Sequence, residues 1–154
     1  MGGSMRRALR VLVGFGVGCL IGAYTALLFA ITPAELTALP WDAAVDRIGW
    51  IADTGWKLAF LVALFSLPIG GLAIVIGERR SIRRGTYYAV AGLAIGLVGY
   101  VAQASGALLA TPMVAVVYSV VAYATTGAIA GSVYWMIAGR KAGSASAGAS
   151  IRTV

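Results

Sequence analysis

The chain has 154 residues, of which 60% are hydrophobic and only 11% are charged, and its net charge is +7. Soluble domains average roughly half apolar and a quarter charged residues, so this composition excludes an ordinary soluble domain. The basic residues flank apolar segments and do not form a surface interleaved with aromatic side chains, so we expect no nucleic-acid partner.

Four apolar segments account for most of the chain. Each has about 20 to 25 residues, enough at 1.5 Å per residue to cross a hydrocarbon layer of roughly 30 Å. The predicted spans are about 11–31, 57–77, 86–109 and 113–138. We therefore predict an all-α integral membrane protein whose single membrane domain, residues 11–138, is a four-transmembrane-helix bundle.

The first span follows a short basic stretch at residues 1–10, a pattern that secretory signal peptides also show. The apolar part of a signal peptide has about 7 to 15 residues. The segment here is longer, and no small-x-small cleavage motif precedes Thr32-Pro33. We therefore expect an uncleaved membrane anchor.

The segment between the first two spans, residues 32–56, has a helical pattern of its own. At helical spacing, Trp41, Val45, Ile48 and Ala52 share one face, and the acidic residues Asp42, Asp46 and Asp53 share another. This pattern predicts an amphipathic helix along the outer membrane surface. Its indole rings, those of Trp41, Trp50 and Trp56, are expected at the level of the lipid headgroups.

The three aspartates of this segment have two interpretations. Clustered carboxylates are ligands that Ca²⁺ prefers, but their spacing does not match a known calcium loop. A solvated acidic face, partly neutralised by Arg47, is the simpler interpretation. We expect no metal site.

The distribution of Lys and Arg predicts the orientation, because positively charged flanks resist translocation. One side carries Arg6, Arg7, Arg10, Arg79, Arg80, Arg83, Arg84, Arg140, Lys141 and Arg152, and the other carries only Arg47 and Lys57. We therefore expect both termini in the cytoplasm, together with the loop 78–85 and a flexible Gly/Ser/Ala-rich tail, 139–154. We expect the membrane to be a bacterial inner membrane. Arg79, Arg80, Arg83 and Arg84 are also candidates for binding anionic headgroups, each worth about 1 kcal/mol.

Small residues recur along one face of each span, which allows close helix packing in lipid. They are Gly14, Gly18 and Gly22, then Gly70, then Gly92, Gly96 and Gly99, and finally Ala124, Gly127 and Gly131. Two antiparallel helices joined by a tight turn at residues 110–112 keep the sum of contacting residue numbers nearly constant. This rule pairs Gly92 with Gly131, Gly96 with Gly127 and Gly99 with Ala124. It also places Gln103 level with Ser119, and we predict that Gln103 bonds Ser119 or a nearby backbone carbonyl.

Residues that usually carry chemistry are scarce. The sequence has no histidine, its single cysteine is Cys19, and the middle of every span lacks Asp, Glu, Lys and Arg. This argues against a proton-coupled pump that relies on an intramembrane carboxylate, and against hydrolytic or redox catalysis. We expect no enzyme, no catalytic residues and no cofactor.

The remaining polar groups leave two hypotheses for function. Tyr100, Gln103, Ser119 and Thr126 can line a narrow pathway or form interhelical hydrogen bonds, and Lys57 can attract an anion or snorkel to the interface. The first hypothesis is a small structural or accessory membrane protein that packs with itself or with a larger membrane partner in the bilayer. The second is a small channel or transporter that forms its pathway as a homo-oligomer.

Overall fold

The computed structural model describes residues 2–30, 38–104 and 113–141. It contains α1 (Gly2–Ala30), α2 (Trp41–Arg79), α3 (Gly85–Ala104), α4 (Met113–Ile137) and a short 3₁₀ turn (Gly139–Lys141). Every element in these ranges is helical, and four helices are long and apolar enough to cross a membrane. The predicted all-α fold with four membrane-spanning helices is therefore confirmed at this level.

Helix α1 begins earlier than the predicted span. It includes the basic stretch that the sequence places before the membrane, because the helix already starts at Gly2. The segment Met5 to Arg10 consists mainly of Arg, Ala and Leu, which are strong helix formers, and it contains no proline or glycine. The first helix therefore continues into the flank without a break.

Helix α2 differs most from the prediction. The sequence indicates a separate surface helix followed by a span, whereas the structure has one helix of 39 residues, about 58 Å long. No proline interrupts residues 41–56, and the ring of Tyr24 packs against the backbone of Gly55 at the expected junction. An ion pair between Lys57 and Asp53, 2.5 Å apart, also bridges this junction within α2. The predicted position of this segment along the membrane surface stays a prediction.

Helix α2 ends in a Schellman motif at the turn that leads to α3. The Ile82 amide donates to the Gly77 carbonyl at 2.8 Å, and the Arg80 amide donates to the Ile76 carbonyl at 2.9 Å. Ser81 stands at the position after the cap with a φ of 50°, in the left-handed region that usually selects glycine. The five residues 80–84 thus reverse the chain at the cost of one strained serine.

The helices follow one another around the bundle in the order α2, α1, α4, α3. Helix α1 packs between α2 and α4, α4 packs between α1 and α3, and α2 meets α3 over a smaller surface. We call the end that carries Arg7, Arg79 and Arg140 the basic end, and the end that carries Trp41 and Trp50 the tryptophan end. The predicted tight turn at 110–112 and tail residues 142–154 lie outside the described residues.

The described start of the predicted tail is ordered against the bundle. Gly139–Lys141 forms the 3₁₀ turn, and Gly139 lies between the rings of Tyr88 and Trp135. The guanidinium of Arg140 stacks 4.5 Å from the centre of the Trp135 ring. Aromatic packing therefore extends the folded region three residues beyond the predicted boundary at Ala138.

Candidate functional site

Glycines bring α3 and α4 into backbone contact. A Cβ on Gly92 would overlap the carbonyl oxygen of Gly127 and lie 3.1 Å from the Cα of Gly131. A Cβ on Gly96 would overlap the carbonyl oxygen of Tyr123 and lie 3.5 Å from the Cα of Gly127. The structure thus places Gly92 beside Gly131 and Gly96 beside Gly127, as the constant-sum rule indicates.

The third pair of this rule is not formed in the predicted way. A Cβ on Gly99 would meet the ring of Tyr123 at 3.8 Å and the ring of Phe65 at 3.7 Å, and Ala124 is not among its nearest neighbours. Aromatic side chains are therefore the nearest neighbours of Gly99.

A second glycine seam joins α1 to α4. A Cβ on Gly14 would lie 3.1 Å from the Cβ of Ala138, and one on Gly18 would lie 3.0 Å from the Ala130 carbonyl oxygen. At Gly22 the nearest atom is the Cβ of Ala130, at 3.3 Å. The predicted glycine face of the first span is thus covered by the fourth helix, a pairing that the sequence alone did not indicate.

Helix α2 is held by different contacts. Gly70 packs against Phe15 of α1 at 3.3 Å and Ile95 of α3 at 3.6 Å, measured from a Cβ built on the glycine. The Tyr87 hydroxyl of α3 donates to the Ala73 carbonyl at 2.9 Å. Contacts with α3 on this part of α2 are therefore made by side chains and not by close backbones.

This arrangement leaves a slot between the four helices. Its volume is about 700 Å³, and residues of all four helices line it. Along α4 the lining extends from Tyr118 to Tyr134, a rise of about 24 Å. The Tyr88 and Tyr134 rings, 5.3 Å apart, close the slot at the basic end. We call this cavity the central slot.

The deep wall of the central slot carries a few neutral polar groups. Cys19 Sγ and Ser66 Oγ are 3.7 Å apart, and the Ser66 hydroxyl also donates to the Val62 carbonyl at 2.6 Å. Thr126 Oγ1 is enclosed without a hydrogen-bond partner, and Ser119 lines the wall nearer the tryptophan end. These groups form no charged or metal-binding constellation.

Gln103 has a different partner from the predicted one. The Tyr123 hydroxyl donates to Gln103 Oε1, so the prediction of a bond to Ser119 or a backbone carbonyl is wrong. Ser119 is level with Gln103, but its hydroxyl is short, whereas the tyrosine ring reaches across from the next turn of α4. Tyr100 joins the same group, with its ring 5.8 Å from the ring of Tyr123.

Hydrogen bonds from two tyrosines also join the helices at the tryptophan end of the bundle. The Tyr118 hydroxyl of α4 donates to the Phe29 carbonyl of α1 at 2.6 Å, and the Tyr24 hydroxyl of α1 donates to the Ala52 carbonyl of α2 at 2.9 Å. Sequence reasoning missed both bonds. The only feature of the sequence that could have indicated these bonds is the position of each tyrosine near the end of a span. Tyrosine rings at the lipid interface occupy the same position.

A buried polar cluster at the basic end was also missed. Arg7 of α1 pairs with Glu78 of α2, whose side chain is only 11% exposed. Nearby, Arg10 Nε and the Tyr134 hydroxyl are enclosed without hydrogen-bond partners. The available signal was that Glu78 is the single acid among the basic residues on this side of the membrane.

The predicted headgroup ligands lie at the two ends of the bundle. Arg79, Arg80, Arg83 and Arg84 are exposed at the turn after α2, where the Arg83 carbonyl accepts a bond from Trp135 Nε1 at 2.8 Å. Trp41, Trp50 and Trp56 are exposed on α2, and Arg47 stacks 4.9 Å from the Trp50 ring. Lys57 pairs with Asp53 on the surface of α2 and does not line the central slot.

Among the described residues, which include all three aspartates of α2, no group of three His, Cys, Asp or Glu side chains could hold a metal ion. Comparison with known proteins adds no assignment. The chain matches no family model, no curated protein and no solved structure. Any function must therefore be argued from the site itself.

Proposed function

We propose that this protein is a non-enzymatic accessory protein of the bacterial inner membrane that acts by association, with a larger membrane protein or with copies of itself. One observation supports this most directly. The first turns of α2 carry an apolar stripe that nothing in the described part of the chain covers: Trp41 is 80% exposed, Val45 48% and Ile48 59%.

The length of α2 supports a position of this stripe outside the hydrocarbon. Charged Lys57 and Arg79 bound a stretch of 23 residues, about 33 Å long, which matches the thickness of the hydrocarbon core. Residues 41–56 then extend about 24 Å beyond it. If the helix stays straight, lipid tails cannot cover the stripe, and water is an unfavourable environment for it.

Contacts at the expected bend support a straight helix. The Tyr24 ring packs on Gly55, and its hydroxyl bonds the Ala52 carbonyl, so α1 fastens both sides of the junction. A helix held upright in this way presents Trp41, Val45 and Ile48 to another protein. This arrangement suits a helix-in-groove interface, in which residues at helical spacing enter an apolar groove of the partner.

The test is the mass and composition of the complex extracted in mild detergent from the native membrane. The wild-type chain should be recovered in an assembly larger than one copy. Replacing Trp41, Val45 and Ile48 together with serine should release the monomer. Replacing Asp42 and Asp46 with serine, on the acidic face of the same turns, is the matched control and should leave the assembly intact. A wild-type monomer would contradict the proposal.

The proposal includes an orientation with the basic end in the cytoplasm. The excess of arginine at the turn 80–84 and at the start of α1 supports this direction. A reporter that is active only outside the cytoplasm, fused to Val154, should be inactive. The same reporter inserted after Gly49, where the structure leaves open space, should be active. The opposite pattern would reverse the topology.

The second candidate is a channel or transporter that forms its pathway as a homo-oligomer. The neutral polar groups of the central slot, Gln103, Ser119 and Thr126, favour this candidate specifically. It predicts that the extracted assembly contains only this chain and that purified protein in liposomes conducts a solute. Substituting Gln103 or Thr126 should then change the flux, whereas the accessory role predicts no flux at all.

A further inference from the structure

We propose that the central slot holds one acyl chain of a membrane lipid, which enters between α2 and α3 from the leaflet at the tryptophan end. This site is separate from the association surface on the first turns of α2. The inference rests on the size of the slot, on its lining and on the place where it opens.

The size of the slot admits a hydrocarbon chain. A volume of about 700 Å³ distributed over about 24 Å gives a mean cross-section near 30 Å². A polymethylene chain is only about 4 Å wide at carbon–carbon contact distance, so it fits with some freedom.

The lining also suits a lipid chain. None of the described residues that line the slot carries a charge, and its apolar lining includes Phe15, Leu27, Leu61, Phe65 and Ile95. A buried water needs about two to four polar partners, which this wall offers at few points. An apolar gap at membrane depth is therefore better filled by hydrocarbon than by water or an ionic solute.

The contacts of α2 and α3 define the entrance. Near the basic end, Tyr88 packs against Gly77 and the Tyr87 hydroxyl bonds Ala73, so this end is closed between the two helices. Toward the tryptophan end, the lining includes Leu58 and Leu61 on α2 and Gln103 on α3. Gln103, Ser119 and Tyr123 cluster there, where the polar ester region of the same lipid would be stabilised.

The depth of the slot distinguishes its occupant from ordinary boundary lipid. One leaflet contributes about 15 Å, half of a hydrocarbon core of roughly 30 Å, whereas the slot runs for about 24 Å. Ser66 lies nine residues, about 14 Å, from Lys57, so a chain that enters from the tryptophan end reaches Ser66 and its neighbour Cys19 near the midplane, inside the bundle. Both residues are only 6% exposed, so bulk lipid on the outer surface of the bundle does not reach them.

Photo-crosslinking tests the proposal. Full-length protein is placed in vesicles of phosphatidylethanolamine and phosphatidylglycerol that contain a trace of phosphatidylglycerol with a diazirine at the end of one acyl chain. Peptides that contain Cys19 and Ser66 should be labelled. Gly99→Leu, whose added Cβ meets nothing closer than 3.7 Å, should fill the slot and lower this labelling about tenfold, equivalent to 1.4 kcal/mol of binding.

Gly71→Leu is the matched control, because a Cβ at Gly71 meets nothing within 4 Å. It should leave the labelling of Cys19 and Ser66 unchanged. Native mass spectrometry should find one lipid bound to wild type and to the control, and none bound to Gly99→Leu. If Gly99→Leu fails to fold, Ala122→Leu fills the same slot and replaces it.

Labelling restricted to outward-facing positions, or equal labelling of Cys19 and Ser66 in the slot-filling variant, would overturn the proposal. So would native mass spectra in which wild type retains no lipid. These outcomes are independent of the accessory role, because that role is measured by the mass of the assembly and changes with Trp41, Val45 and Ile48.

Discussion

Gly92 and Gly127 each occupy the space that a side chain on the other would need, since a Cβ built on either residue overlaps the carbonyl oxygen of its partner. The two backbones are therefore as close as helices can pack. In lipid, where apolar burial does not drive association, this closeness supplies van der Waals contact between α3 and α4 along Gly92 and Gly96.

Gly92→Ala should destabilise the protein by about 1 to 3 kcal/mol, because the methyl group forces the two backbones apart. The midpoint of thermal unfolding in detergent measures the effect. Gly71→Ala is the matched control in α2, where the added methyl meets open space, and it should be neutral or slightly stabilising. Equal midpoints for the two variants would show that the seam is not tightly packed.

The Tyr123–Gln103 hydrogen bond should couple α3 and α4 modestly. Interhelical bonds in membranes contribute about 0.6 kcal/mol on average, so a double-mutant cycle with Tyr123→Phe and Gln103→Leu should give a coupling energy near this value. Tyr100→Phe is the control, because Tyr100 contacts Tyr123 through its ring edge. A cycle of Tyr100→Phe with Gln103→Leu should show no coupling; comparable values in the two cycles would refute the bond.

Two ion pairs among the described residues, Arg7–Glu78 and Lys57–Asp53, should differ in importance. Glu78 is 11% exposed in its pair with Arg7, whereas Asp53 and Lys57 are 62% and 70% exposed. Exposed pairs contribute about 0 to 1 kcal/mol, and removing the cation beside a mostly buried carboxylate costs several times more. Arg7→Gln should therefore lower the unfolding midpoint clearly more than Lys57→Gln, and added salt should not remove the difference.

Ser81→Gly should stabilise the protein. Ser81 has a φ of 50°, a conformation that costs a residue with a side chain about 1 to 2 kcal/mol relative to its preferred region and that glycine adopts freely. The gain should be at most about 1 kcal/mol, because glycine also loses more entropy on folding. Ser81→Ala, which keeps the strain, is the control. A lower unfolding midpoint for Ser81→Gly than for Ser81→Ala would contradict the capping assignment.

The hydropathy of the chain was sufficient to predict four membrane-spanning helices, because the length of an apolar segment follows directly from the thickness of the bilayer. The register of α3 against α4 also followed from spacing, since Gly92 and Gly96 leave few alternatives for an antiparallel neighbour joined by a tight turn. These are local properties, and local patterns encode them.

Contacts between distant segments did not follow in this way. Nothing in the spacing of Gly14, Gly18 and Gly22 shows which helix covers them, and several small-residue faces compete for the same groove. Long side chains also make hydrogen-bond partners harder to predict from the sequence. Tyr123, for example, bonds Gln103, which lies one helical turn away from the residues of α3 directly opposite Tyr123. Tyr24, a residue of another helix, contacts α2 at Ala52 and Gly55, and no pattern within residues 41–57 indicates this contact.

The order of the helices around the bundle has a consequence for biosynthesis. Helix α1 is made before α4, the helix that covers its glycine face. Until α4 has entered the bilayer, Gly14, Gly18 and Gly22 face lipid, and the first hairpin has no backbone neighbour. A chain truncated before α4 therefore leaves this glycine groove open to lipid.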